Sequence, residues 1–176
     1  RQGILSGRLI LGFLVMVLSP LTKAVGVFVL PFFFLHILRK LGTVQKRILF
    51  TAYTGLGSLI LAFLSFFPFG SPLELAQRLV NEAGSGASFS IGSLYLLYLR
   101  DYLEQPITSS IMGTIASLSL FFLALTALIL CGYSWFRGRS PLRASADIFF
   151  AYILQALNFR LWYTSWSFPF LLLDYD

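Results

Sequence analysis

The chain has 176 residues, of which 57% are hydrophobic and only 11% charged, with 19 phenylalanines. There is too little polar surface here to clothe a water-facing domain, so the composition excludes an ordinary soluble fold and predicts an integral membrane protein. Thirteen basic residues against seven acidic give +6, an excess that in a membrane protein orients loops rather than signalling nucleic-acid binding, and the single Cys131 rules out an intrachain disulfide.

In chain order, Ile4 to Leu18 and Ala24 to Leu38 read as two apolar helices meeting at a turn in Ser19-Pro20-Leu21-Thr22-Lys23, where proline removes a backbone donor and disfavours helix before itself. Ile48 to Phe67 and Ile107 to Cys131 each supply the roughly 20 apolar residues that a bilayer core demands. They are the predicted transmembrane helices. Ser71 as a cap, Pro72 at the first helical position and Glu74 three residues after the cap mark a helix start. Its apolar face (Leu75, Ala76, Leu79, Val80, Ala83) opposes a polar one (Glu74, Gln77, Arg78, Asn81, Glu82), which suits an amphipathic helix lying on the membrane surface. A flexible GSGAS link and a tyrosine-rich interfacial segment, residues 93–104, complete that connection. Ala144 to Leu157 and Ser167 to Leu173 repeat the pattern of two short helices, here around the stretch NFRLWYTSWS. The expected fold is all-α: one polytopic transmembrane bundle over 1–176 with short or broken helices, and residues 71–104 as a non-cytoplasmic connection. The opening on Arg1 and the apolar run at the chain's end are read as part of a longer polypeptide.

Basic residues set the sides. Arg39, Lys40, Lys46 and Arg47 share one loop without an acid, and Arg137, Arg139 and Arg143 share another, so both loops are expected on the cytoplasmic face. Glu74, Glu82, Asp101 and Glu104 fall in the opposite connection. If each helix crosses in turn, Lys23 and Arg160 reach that outer face as well.

Soluble-enzyme motifs are absent: there is no nucleophile elbow and no phosphate loop, and the one histidine, His36, lacks the partners a metal site needs. What remains is charge at membrane depth. A lysine at mid-bilayer costs on the order of 2.5 to 3.5 kcal/mol unless it snorkels or pairs. Lys23 therefore either snorkels to the interface or sits at a cavity mouth to meet an anionic headgroup. Arg160 poses the same choice beside Trp162, Tyr163 and Trp166: an aromatic belt, or a guanidinium that grips phosphate oxygens next to rings that stack on a sugar or isoprenoid.

MVLSPLTKAVGVFVLPFFFLHILRK (16–40) resembles a segment of bacterial membrane glycosyltransferases in which one helix ends in Leu-Thr-Lys and the next carries Leu-Pro before a basic loop. AFLSFFPFGSPLELAQRL (62–79) resembles their next outward helix, and NFRLWYTSWSFPFLLL (158–173) is similar to their late Trp-Tyr signature, departing from it in Arg160-Leu161. The resemblance is to polyprenyl-phosphate-sugar-dependent glycosyltransferases of the GT-C fold, of the alpha-mannosyltransferase-like family 87. It implies transfer of a mannose-like hexose from a lipid-phosphate donor to a lipid-linked or glycan acceptor on the non-cytoplasmic face of a multi-pass protein in a bacterial inner membrane. It also implies that Thr22, Lys23, Arg160, Trp162 and Tyr163 border the donor, with Arg78 and Glu82 as acceptor-side candidates. The family's catalytic acid lies in an earlier exterior loop, so no residue here is assigned as catalytic. No cofactor is called for, although a divalent metal would be compatible with the chemistry. Expected partners are the lipid-linked sugar donor, membrane lipids, and an N-terminal half or partner subunit, with no nucleic acid. A different class also fits the residues: a noncatalytic membrane subunit acting as scaffold or lipid-binding partner. A transporter built on broken helices fits less well, because the polar residues gather at one face.

Overall fold

The computed structural model of the chain describes residues 2–69, 71, 74, 77–78, 90–155, 165 and 167–174, with the backbone alone for 2–6, 24 and 69. Helices α1 (Gln2–Thr22), α2 (Leu30–Lys40), α3 (Val44–Phe66), α4 (Ile91–Asp101), α5 (Ser109–Arg137), α6 (Pro141–Gln155) and α7 (Phe168–Leu173) carry the fold, with short 3-10 turns at Ala24–Phe28 and Phe67–Phe69. No strand occurs among the described residues. The chain divides into two compact units, Arg1–Ala76 with Cys131–Pro141, and Gln77–Leu130 with Leu142–Asp176, so that α5 begins in the second and ends in the first.

In the first unit, three phenylalanine rings meet. Phe13 lies 5.6 Å from Phe34 and 6.0 Å from Phe50, and Phe34 stacks on Phe50 at 5.7 Å between centroids. Phe13 and Phe34 flank the break at Lys23 at nearly equal distance along the chain, and Phe34 and Phe50 lie equally far from Gly42 in the turn after Lys40. Each pair thus belongs to an antiparallel turn of the chain, and α1 and α3, which pack directly on each other, run the same way with α2 reversed. Val17 joins the core, with Leu9, Ile10, Leu21, Ile37 and Leu61 packed around it. Burial of this set supplies about 25 cal/mol per Å² of apolar surface taken from its surroundings when those are water, and tight packing alone when they are lipid.

Local signals explain the ends. The α1 helix runs through Pro20 to Thr22, further than the expected Leu18, because the proline stands in the last turn and removes only one donor. Lys23 then turns extended (φ −148°, ψ 110°), while its amide still donates to the Ser19 carbonyl at 2.9 Å. Thr22 Oγ1 donates to the same carbonyl at 2.8 Å, closing the helix end. The chain can double back tightly here because position 26 is glycine: a Cβ there would lie 2.7 Å from Ser19 Oγ and 3.0 Å from the Pro20 nitrogen. Thr43 caps α3 by accepting from the Lys46 amide, and Arg39 and Lys40 occupy the last turn of α2, where the helix dipole favours cations.

In the second unit, Leu96 and Leu99 of α4 are buried with Ile115 and Ala116 of α5, and Ile107, Ile111 and Met112 pack beside them. The pairing is that of a hairpin folded at residues 102–108. The tyrosine-rich segment, expected as an interfacial stretch, therefore has Leu96 and Leu99 closed against α5, while Tyr95, Tyr98 and Tyr102 stay exposed together with Leu94 and Leu97. Ser90 caps it, accepting from the Ser93 amide at 3.3 Å. The α6 helix is the most enclosed element: Ala144, Ser145 and Ile148 have no exposed surface. Phe170 of α7 stacks on Phe149 at 5.5 Å, and Arg143 meets Asp174 at 3.1 Å, so α7 returns antiparallel along α6.

Two helices, α3 and α5, are long and apolar enough to cross a membrane. Their 23 and 29 residues correspond to about 35 and 44 Å at 1.5 Å per residue, against about 30 Å of hydrocarbon. Only 11% and 17% of their most apolar windows are buried, whereas the core helix of a soluble protein would be covered on most sides. Hydroxyls along them turn back onto their own helix: Thr54 Oγ1 donates to the Phe50 carbonyl at 2.7 Å, Ser58 to Thr54 at 2.6 Å and Thr126 to Phe122 at 2.8 Å. Such bonds satisfy these three hydroxyls within their own helix, as an apolar surrounding requires. The α5 helix continues to Arg137, six residues past the expected Cys131, and ends at Gly138, whose φ of +72° makes it a left-handed cap.

Candidate functional site

Of the residues implicated from sequence, Thr22 and Lys23 are exposed at the α1–α2 break, at the end of the first unit opposite the turn that follows Lys40. Glu74, Gln77 and Arg78 are helical and exposed, whereas the expected apolar face of that helix, Leu75, Ala76, Leu79, Val80 and Ala83, lies outside the described residues. Arg78 belongs to the second unit and Lys23 to the first. Glu82, Arg160, Trp162 and Tyr163 lie outside the described residues. No Asp or Glu precedes Glu74 in the chain, so the break at Lys23 has no carboxylate from its own hairpin. Of the acids in the 71–104 connection, Asp101 is tied to its neighbour: Arg100 Nε donates at 2.6 Å and Nη2 at 3.1 Å. That hydrogen bond and the adjacent positive charge hold the Asp101 carboxyl below its ordinary range.

The opposite end of the first unit carries the densest charge. Arg39 Nη1 donates to the Ser134 carbonyl at 3.0 Å, joining the end of α2 to the last turn of α5 across 95 positions of sequence. Its guanidinium also occupies the space in front of Gly138, where a Cβ would lie 2.6 Å from Nη1. Arg47 Nε donates to the Leu41 carbonyl at 3.0 Å and its guanidinium carbon stands 5.8 Å from the Trp135 ring centre. Arg139 lies 5.5 Å from the Tyr133 ring centre. The two basic loops that the sequence assigned to one face are thus physically joined, with Lys40, Lys46 and Arg137 exposed around the junction.

Within the second unit, Gln155 forms a polar centre that sequence reasoning passed over. Its Nε2 donates to Thr126 Oγ1 at 3.2 Å, while its Oε1 is buried without a hydrogen-bond partner among the described residues. It borders two grooves. One of about 300 Å³ is lined by Ile91, Gly92, Tyr95, Ser119 and Phe122, and one of about 290 Å³ by Asp147, Phe150, Leu154, Ser167 and Leu171. A glutamine and an aspartate on a helix that is largely apolar and small beyond Arg143 were the available signal, since polar groups at such positions face a protein interior or a cavity. Among the described residues no three His, Cys, Asp or Glu side chains gather as a metal site would require.

The chain matches no sequence-family model, no curated protein and no solved structure. The chemistry of its own residues is therefore what supports a functional reading.

Proposed function

We propose that this chain is the multi-pass membrane part of a polyprenyl-phosphate-sugar-dependent glycosyltransferase in a bacterial inner membrane, with its donor phosphate held at the Lys23 end. The observation that carries the reading is the α1–α2 hairpin. It presents Thr22 and Lys23 at the end opposite Arg39 and Lys40, where a cation would meet a headgroup on the non-cytoplasmic side. Sugar transfer from a lipid phosphate leaves an anion, and a preorganised cation lowers the barrier where that charge develops. Arg160, Trp162 and Tyr163 would complete the clamp, and Arg78 and Glu82 would face the acceptor; no residue is assigned as the general base. The test is donor-dependent hexose transfer by purified full-length protein. Lys23→Ala and Arg160→Ala should each lower turnover at least tenfold while Lys40→Ala, at the other end, leaves it unchanged. Undiminished turnover in both would overturn the assignment.

A second reading, a noncatalytic scaffold subunit, is favoured by one specific observation: the largely uncovered apolar flanks of α3 and α5, which offer a partner helix as much surface as they offer lipid. It predicts no transfer by the isolated protein with any lipid-phosphate sugar.

A further inference from the structure

We infer that the joined basic loops at the α2–α3 turn and the α5 terminus form a docking surface for anionic phospholipid headgroups. The surface is built from two segments far apart in sequence. Arg39 ties the α2 end to the Ser134 carbonyl, and Arg47 is held between the Leu41 carbonyl and the face of Trp135. Two guanidinium groups are thus fixed in place by backbone acceptors, and Lys40, Lys46 and Arg137 stand exposed beside them. Neither segment, 39–47 or 131–141, contains an acid. Six cations in this compact an area repel one another, and a phosphate diester relieves that repulsion while accepting several N–H bonds.

Two features select a lipid over a soluble polyanion. The cluster closes the end of α5 and the start of α3, the two helices of membrane-crossing length. Its rings have an interfacial arrangement: Phe136, directly before Arg137, is 81% exposed, and Tyr133 and Trp135 turn toward Arg139 and Arg47. This inference rests on the chain lying in a membrane and is independent of sugar transfer.

The probe is an equimolar mixture of phosphatidylglycerol and phosphatidylcholine, offered to delipidated full-length protein in detergent, with retained lipid quantified by mass spectrometry. The wild type should retain phosphatidylglycerol preferentially, and the preference should fall about fivefold for each charge removed in Lys40→Gln and Arg137→Gln. Arg100→Gln, on α4, should leave it unchanged, and charge-preserving Arg137→Lys should keep most of it. Helical content by circular dichroism separates loss of binding from loss of fold. Equal retention of the two lipids by the wild type, or an unchanged preference in the folded Lys40→Gln/Arg137→Gln double variant, would overturn the inference.

Discussion

Gly26→Ala probes the hairpin that sets the direction of the first unit. The added methyl would stand 2.7 Å from Ser19 Oγ, 3.0 Å from the Pro20 nitrogen and 3.1 Å from the Ser19 carbonyl carbon. Two of these three neighbours are backbone atoms in the closing turn of α1, so no rotamer change relieves them and the 3-10 segment must move outward. Overpacking of this kind costs about 1–3 kcal/mol. Gly57→Ala is the matched control. Its methyl would meet only Leu14, at 2.8 and 3.0 Å from the two terminal methyls, which a change of leucine rotamer can clear. It also gains up to about 1 kcal/mol of helix propensity. Thermal unfolding of the purified protein in detergent, followed by helical circular dichroism, should rank Gly26→Ala clearly below wild type and Gly57→Ala close to it. A Gly26→Ala protein as stable as wild type would mean that the chain does not double back on Pro20, and the antiparallel α1–α2 pairing would fall with it.

Leu96→Ala should cost about 2–5 kcal/mol, since Leu96 is only 4% exposed and anchors α4 to α5. Faster hydrogen exchange confined to α4 is the expected signature, and unchanged exchange would return the segment to a loose interfacial stretch. Gln155→Leu should be neutral or stabilising: the buried Oε1 has no partner among the described residues, and an unpaired atom of this kind costs about 1–3 kcal/mol. Thr126 meanwhile keeps its bond to the Phe122 carbonyl. A large loss of thermal stability in Gln155→Leu would show that the amide oxygen is in use.

The membrane-length helices were legible because length and apolarity are properties of a single segment, so Ile48 to Phe67 and Ile107 to Cys131 could be read with no knowledge of neighbours. Their ends shifted outward, to Val44 and to Arg137, for a local reason: Thr43 caps one and Gly138 terminates the other, and basic residues in a last turn extend a helix past its apolar stretch. What the sequence could not display was pairing. Tyrosines at 95, 98 and 102 drew attention away from the buried face of α4, where Leu96 and Leu99 close on α5 while Leu97 stays exposed. The same holds for Gln155, whose partner Thr126 is 29 residues away on another helix. The basic loops illustrate the opposite case. Charge alone put them on one face, and the Arg39–Ser134 bond gives that expectation a physical contact. Of the donor clamp, only the Thr22–Lys23 half falls among the described residues, where the helix break foreseen from Ser19-Pro20 is present a few residues later than expected.

The central claim is that the first unit crosses a membrane with its basic turn on the cytoplasmic side and Lys23 on the other. Single-cysteine proteins, with Cys131 replaced by alanine and either Lys23→Cys or Gln45→Cys introduced, should be treated in intact cells with a membrane-impermeant maleimide. The account predicts labelling at position 23 from outside, and at position 45 only after the membrane is opened. Labelling of both positions from the same side would contradict it.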